Sequence, residues 1–256
     1  MKIRFSAFIT LLVLLGTTAT IMGTNEKIDV REVDTFSSSG KIGELDGWVS
    51  NGSDVKDCYA IGEEENNYFL QASVKDSGTI IAKEINYRLD EFPVISWRWR
   101  ALQLPEGGDE RYKCSGDSVA GIYIIFPSLF KPERFKSRWG LKLPIPDALK
   151  PECIKYVWSS SLPKGTVTES PYASKTRIVV LQNGTSPLNQ WVTEEVNVYE
   201  DYKKLFGKEP DEVRAVGILT DADDTSSQAM ADYDDIFIKK CASQAEKHIS
   251  EVKKVW

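Results

Sequence analysis

The chain has 256 residues, with 38 Asp+Glu against 32 Lys+Arg, a formal net charge of −6 and a single histidine, His248. That acidic balance disfavours nucleic acid and anionic membrane surfaces as partners. One histidine in the C-terminal tail is a poor basis for a Ser-His-Asp or Cys-His nucleophile or for histidine-based metal catalysis. The chain also lacks the Gly-rich signatures of phosphate and dinucleotide binding.

The N-terminus places Lys2 and Arg4 ahead of an apolar run over residues 8–15, followed by the small residues Gly16, Thr17 and Ala19. That is the order of a secretory signal, and the apolar run is well short of the roughly 20 residues that span a bilayer. The expectation is a signal peptide over residues 1–19, cleaved near Ala19. The mature protein is then periplasmic or secreted, without a membrane segment. Loss of Lys2 and Arg4 makes that mature chain more acidic still. Its length suits one β domain over residues 28–241, with a tail at 242–256. The tail carries Ile249, Val252, Val255 and Trp256 among charges, as either a docked amphipathic helix or a frayed end.

Strand signals follow in series. Residues 68–74 alternate loosely, and residues 79–85 follow a Ser77-Gly78 turn. Residues 94–100 alternate strictly, with Ile95, Trp97 and Trp99 on one face and Ser96, Arg98 and Arg100 on the other. Residues 119–126 form a nearly continuous apolar run. Segments 154–158, 176–181, 191–198, 213–219 and 235–238 complete the set. Strands of this length between Gly, Pro, Asn and Asp clusters predict a mostly β protein, an antiparallel β-sandwich. Residues 199–206 predict one short helix, stopped by Gly207 with Pro210 beyond. The proline-rich, basic segment 130–151 predicts a long loop over one edge of the sandwich. Cys58, Cys114, Cys153 and Cys241 make an even number in an exported chain, which predicts disulfides. Cys114 with Cys153 is the favoured pair and Cys58 with Cys241 the remainder.

Three constellations carry chemistry. The first is acidic: Asp221, Asp223, Asp224, Asp232, Asp234 and Asp235 repel one another unless a cation, arginines or backbone amides compensate them. Asp221, Asp223 and Thr225 at alternate positions resemble a calcium loop, although Ser226 stands where that loop needs Gly. Asp221, Asp223 and Asp235 are the expected ligands of a structural calcium; the alternative is a hydrogen-bonded loop in which Asp and Thr cap amides and pair with arginines. The second is the face carrying Arg98 and Arg100, either a platform for an anionic ligand or an ion-pair ladder, with Asp117, Glu194, Glu195 and Asp235 as partners. The third is aromatic. Seven Trp and ten Tyr are generous for this length, and Trp139, Tyr156, Trp158, Tyr172 and Trp191 serve either as core or as stacking faces for sugar rings.

The motifs Trp97-Arg98-Trp99-Arg100, Gly108-Asp109-Glu110-Arg111, Asp117, Tyr156-Val157-Trp158-Ser159-Ser160, Glu195, Asp201-Tyr202, Phe206-Gly207, Glu209-Pro210, Leu219-Thr220-Asp221-Ala222-Asp223-Asp224-Thr225 and Ala231-Asp232-Tyr233-Asp234-Asp235-Ile236 occur in this order. Together they resemble a bacterial domain-of-unknown-function family, number 3047, over about residues 35–240. The resemblance implies an exported bacterial protein and supplies no activity. A looser similarity, to galactose-binding-type jelly rolls, rests on Phe36, Gly47-Trp48 and Asp234-Asp235-Ile236, and concerns fold alone.

The functional expectation is a non-catalytic, exported β-sandwich that binds a carbohydrate or anionic polar ligand through Arg98, Arg100, Asp117, Trp158 and Glu195. One alternative is a carboxylate-dependent glycoside hydrolase or lyase, with Asp117, Glu195 and Asp221 as the acids of interest. Another is an envelope scaffold docking through an apolar patch near Phe130, Leu141 and Leu143.

Overall fold

The structure is a computed structural model that describes residues 29–37, 45–50, 55–128 and 150–240. The expected signal segment, most of the proline-rich loop with its Phe130, Leu141 and Leu143, and the tail lie outside the described residues. No helix among the described residues is long and apolar enough to cross a membrane.

Thirteen strands and two helices follow one another: β1 (Val30–Asp34), β2 (Trp48–Val49), α1 (Val55–Cys58), β3 (Tyr59–Glu64), β4 (Asn67–Lys75), β5 (Ile81–Arg88), β6 (Val94–Gln103), β7 (Ala120–Ile125), β8 (Cys153–Ser159), β9 (Val167–Ser170), β10 (Ala173–Asn183), β11 (Val192–Asn197), α2 (Val198–Phe206), β12 (Glu212–Leu219) and β13 (Gln228–Lys239). Sheet I has the order β11-β6-β13-β4-β3, with β1 also paired to β13, and sheet II has the order β2-β5-β12-β7-β8-β10-β9. The chain passes repeatedly from one sheet to the other, the connectivity of a jelly-roll sandwich. Sheet II is mixed, because β8 and β10 run parallel.

The strict alternation over residues 94–100 sets the core. On β6, Ile95, Trp97 and Trp99 point inward and are essentially inaccessible. Trp97 meets Tyr156 of β8 at 5.7 Å and Trp99 meets Trp158 at 6.1 Å, so the two sheets are joined by an aromatic layer. Helix α2 starts and stops as its sequence predicts. Asn197 caps it by accepting from the Glu200 N–H at 3.1 Å, and Gly207 closes it at φ 70, with its N–H on the Lys203 carbonyl.

Two expectations are corrected. Asp232 and Asp234 do not lie in a loop ahead of the last strand; they lie within β13, which begins at Gln228 rather than at residue 235. A strand tolerates these charges because the register of β13 with β6 sets Asp232 opposite Arg100 and Asp234 opposite Arg98. Asp235 sits at φ 53 inside a register shift between Asp234 and Phe237. That bulge switches the inward residues from Ala231 and Tyr233 to Ile236 and Ile238, and explains why a period-two reading breaks here. The disulfide expectation fails as well, because Cys58, Cys114 and Cys153 are free thiols. Cys114 is exposed in the β6–β7 connection, whereas Cys153 is buried at the start of β8, with its thiol 3.9 Å from the Pro151 carbonyl. Cys241 lies outside the described residues.

Candidate functional site

All seven residues of β8 are buried, which a strand achieves only when both faces are covered. Tyr156 and Trp158 face the aromatic core. Lys155, Val157 and Ser159 face away from it, onto the outer side of sheet II. There, Val157 forms a small second core with Leu162, Ile178 and Val180. The cover over this face is the connection of residues 104–119, stitched down by three consecutive serines at the end of β8. Ser159 Oγ donates to Glu110 Oε2 at 2.6 Å, Ser160 Oγ to the Pro105 carbonyl at 2.9 Å, and Ser161 Oγ to the Gly108 carbonyl at 2.7 Å. Gly108 is required under this cover, since a Cβ there would come within 2.8 Å of the Asp117 carbonyl.

Beneath the cover lies a cavity of about 310 Å³. Its floor is Lys155, flanked by Tyr123 across β7 and Ile178 across β10. Gly121 leaves room for the lysine stem, whose Cε is 3.2 Å from where a Cβ on that glycine would stand. The ammonium sits 5.5 Å from the Tyr123 ring centroid and makes no ion pair with a described carboxylate. Burial opposes its charge, yet Tyr123, Asp221 and Glu110 together hold its pKa above the usual lysine value, so it stays protonated.

Glu110 is fully buried, and only Oε2 has a donor; Oε1 has no hydrogen-bond partner. Burial raises its pKa, against the pull of the Ser159 hydroxyl and of Lys155.

The third wall is the β12–β13 connection, residues 220–227. Asp117, fully buried, anchors it by accepting from the Asp224 N–H at 3.3 Å and from the Thr225 N–H and hydroxyl at 2.8 and 2.6 Å. Carboxylate oxygens of Asp117, Asp221 and Asp223 lie within 4.8 Å of one another. Burial pushes Asp221 up to about 7; Lys155 opposes this, while Asp223 and Asp117 add to it. Tyr172 stands at the rim, 47% exposed, with its hydroxyl on the Asp224 carboxylate and on the Lys113 carbonyl.

The structure therefore brings together Asp117, Asp221 and Asp223 and places the other expected site residues elsewhere. Trp158 is fully buried in the core, its indole N–H on the Gly184 carbonyl. Arg98 and Arg100 lie on the outer face of sheet I, where Arg98 pairs with Asp234 at 2.5 Å and with Asp235 at 2.8 Å. Arg100 pairs with Asp232 at 2.7 Å and with Glu64 at 3.0 Å. The Trp191 ring covers both guanidinium groups at 4.6 and 4.7 Å. Glu195, on β11, pairs with Lys239 at 2.7 Å. Asp235 thus belongs to the arginine ladder rather than to the acidic cluster.

Sequence reasoning missed Lys155, Glu110 and Tyr123 as site residues. One signal was present: Lys155 is a lone charge in an otherwise apolar strand, where an outward residue of an uncovered sheet would attract no attention.

Fold and site together define a jelly-roll β-sandwich with a polar cavity roofed by loops on the outer side of one sheet. Residues 46–237 match the family described as "Protein of unknown function (DUF3047)", and the chain belongs to that family. No curated protein matches it. Among solved structures, the chain is similar to the family 11 carbohydrate-binding module of the cellulosomal cellulase Lic26A-Cel5E of Clostridium thermocellum. Identity there is 11%, the TM-score is 0.40, and coverage is 84% of this chain and 96% of that one. It is also similar to a mannan-recognising carbohydrate-binding module, TmCBM27 (12%, TM-score 0.37, 84% and 99% covered), and to endoglucanase 3 of family GH12 from Trichoderma harzianum (8%, TM-score 0.38, 85% and 99%).

Proposed function

We propose that this chain is an exported, non-catalytic binding protein whose ligand is a carbohydrate or a similarly hydroxyl-rich molecule, seated in the cavity between Lys155, Glu110 and Tyr172. One observation carries the reading. Glu110, with a buried carboxylate oxygen that has no donor, and the buried Lys155 ammonium line the same cavity. Leaving such an oxygen unsatisfied costs about 1–3 kcal/mol, and more when it is charged. A pair of adjacent hydroxyls fits both groups: one donates to Glu110 Oε1 while its neighbour accepts from Lys155. The exposed Tyr172 ring at the rim offers a flat face for the CH side of a sugar ring. The volume is at the small end of ligand cavities and suits one or two sugar units.

The test is a glycan array probed with the mature protein and with Lys155→Met. Binding to a defined glycan, reduced at least about tenfold in the variant, is the expected result. Silence across the array, or equal binding by the variant, overturns the reading. Export is tested separately by N-terminal sequencing of the protein recovered outside the cytoplasm, with the chain expected to begin just after Ala19.

A carboxylate-dependent hydrolase or lyase is the second reading, and Asp221 favours it: a group titrating near 7 beside other carboxylates has the form of a general acid. Release of new reducing ends from a bound glycan, abolished in Asp221→Asn, selects this reading over simple binding.

A further inference from the structure

The wall of the cavity formed by the β12–β13 connection shows a second feature. Asp117 is held in one orientation by three donors from Asp224 and Thr225. Asp221 and Asp223 bring their carboxylates to the same point, within 4.8 Å. Acidic residues alone do not make a site, since loops often hold several and satisfy them with amides. Here one observation outside the cluster adds to it. Glu110, wholly buried and reaching the cavity from the opposite cover, has an oxygen with no donor. Within the cluster, the Asp221 Oδ1 atom has no donor and is pressed against Gly78, where no side chain could intervene. Lys155 is the only cationic residue among the described residues lining the cavity, and it faces four acids there.

We propose that Asp117, Asp221 and Asp223 hold a divalent cation, calcium in the first instance, and that its open coordination positions face the cavity and take hydroxyl oxygens of the ligand. The chemistry of the donor set selects the ion. All donors are hard carboxylate oxygens, with no nitrogen or sulfur among them, which suits calcium rather than zinc or copper. Three carboxylates fill part of a shell of six to eight oxygens, and the rest face the cavity. The residues differ from the set expected from sequence: Asp117, from the other connection, replaces Asp235. Because Asp117 comes from residues 104–119 and the other two from residues 220–227, the ion ties the two connections that shape the cavity. The bridging role rests on the ligand reading above, whereas the cation site stands without it.

The experiment uses the mature full chain stripped with EDTA and titrated with calcium chloride, read by thermal unfolding and by calorimetry, with and without a glycan hit. Saturating calcium is expected to raise the melting temperature by about 5 °C or more at a hundredfold excess over Kd. Asp223→Asn, at an exposed position, is expected to keep the melting temperature of the stripped wild type and to lose the rise. Glycan affinity is expected to fall at least tenfold in EDTA. Absence of both a thermal shift and a binding heat, or a variant that responds like the wild type, overturns the cation site. A calcium response with no glycan bound anywhere supports the site and removes the ligand reading together with the bridging role. Glycan binding that is unchanged in EDTA, with no calcium response, removes the site alone.

Discussion

The Ser159 hydroxyl donates to Glu110 Oε2 at 2.6 Å, and the other oxygen of that buried carboxylate has no donor. One hydrogen bond thus joins the end of a core strand to the loop that roofs the cavity, and leaves the other oxygen of a cavity-lining carboxylate without a partner. A side chain selected for stability alone would be neutral here. Glu110→Gln is expected to stabilise the unliganded protein by about 1 kcal/mol, while weakening glycan binding about tenfold or more. Denaturant unfolding and calorimetry on the same preparation read the two effects.

The arginine ladder on the opposite sheet behaves differently. Asp234 is fully buried and serves Arg98 and the Asn67 amide, so Asp234→Ala leaves Arg98 with Asp235 alone and takes the acceptor from Asn67. The expected cost is about 3 kcal/mol in unfolding free energy, with glycan affinity within about twofold of wild type. Loss of binding at unchanged stability makes the outer face of sheet I the ligand platform instead.

Gly78 is packed against Asp221, and a Cβ at position 78 would overlap Asp221 Oδ1 outright. Gly78→Ala therefore displaces the carboxylate from the cavity wall. Overpacking of this kind costs about 1–3 kcal/mol. Ligand affinity and the calcium-induced thermal shift are both expected to fall, whereas unfolding remains cooperative.

Stability should also depend on pH through Asp221. Its pKa rises from an ordinary 3.8 to about 7 on folding, chiefly through burial. The native state then holds the proton more tightly than the unfolded chain. Stability from this group is complete below about pH 4 and is lost as pH rises through 7. Glu110, also raised by burial, acts in the same direction. In EDTA the wild type is expected to melt at a higher temperature at pH 5 than at pH 8, and Asp221→Asn to reduce that difference. A variant with the wild-type slope contradicts the assignment.

Much of the fold is legible in the sequence, for a physical reason. Where one face of a strand is core and the other is solvent or ion pair, as at Trp97 to Arg100, side-chain period alone assigns both faces. Asn197 and Gly207 likewise mark the ends of α2 through backbone chemistry local to each. Edge strands β1, β2, β3 and β9 escape notice because they are short or carry charge on their buried side of the pattern. Strand β13 is misread at its start because Asp232 and Asp234 look like loop residues until Arg100 and Arg98 are known to lie opposite them. The site is the least legible part. Lys155, Glu110 and Asp221 come from three distant segments, and nothing local to β8 says that its outer face will be roofed. Of the acids expected to act together, Asp221 and Asp223 meet Asp117, whereas Asp235 lies in β13 on the arginine ladder.

The most direct measurement is a crystal structure of the mature protein with the best glycan from the array, grown in calcium. The account predicts a sugar unit in the cavity, with one hydroxyl on Glu110 Oε1, its neighbour on the Lys155 ammonium and the ring against Tyr172. A sugar bound elsewhere, for example across Trp191 and the arginine ladder, with the cavity holding only solvent, contradicts it.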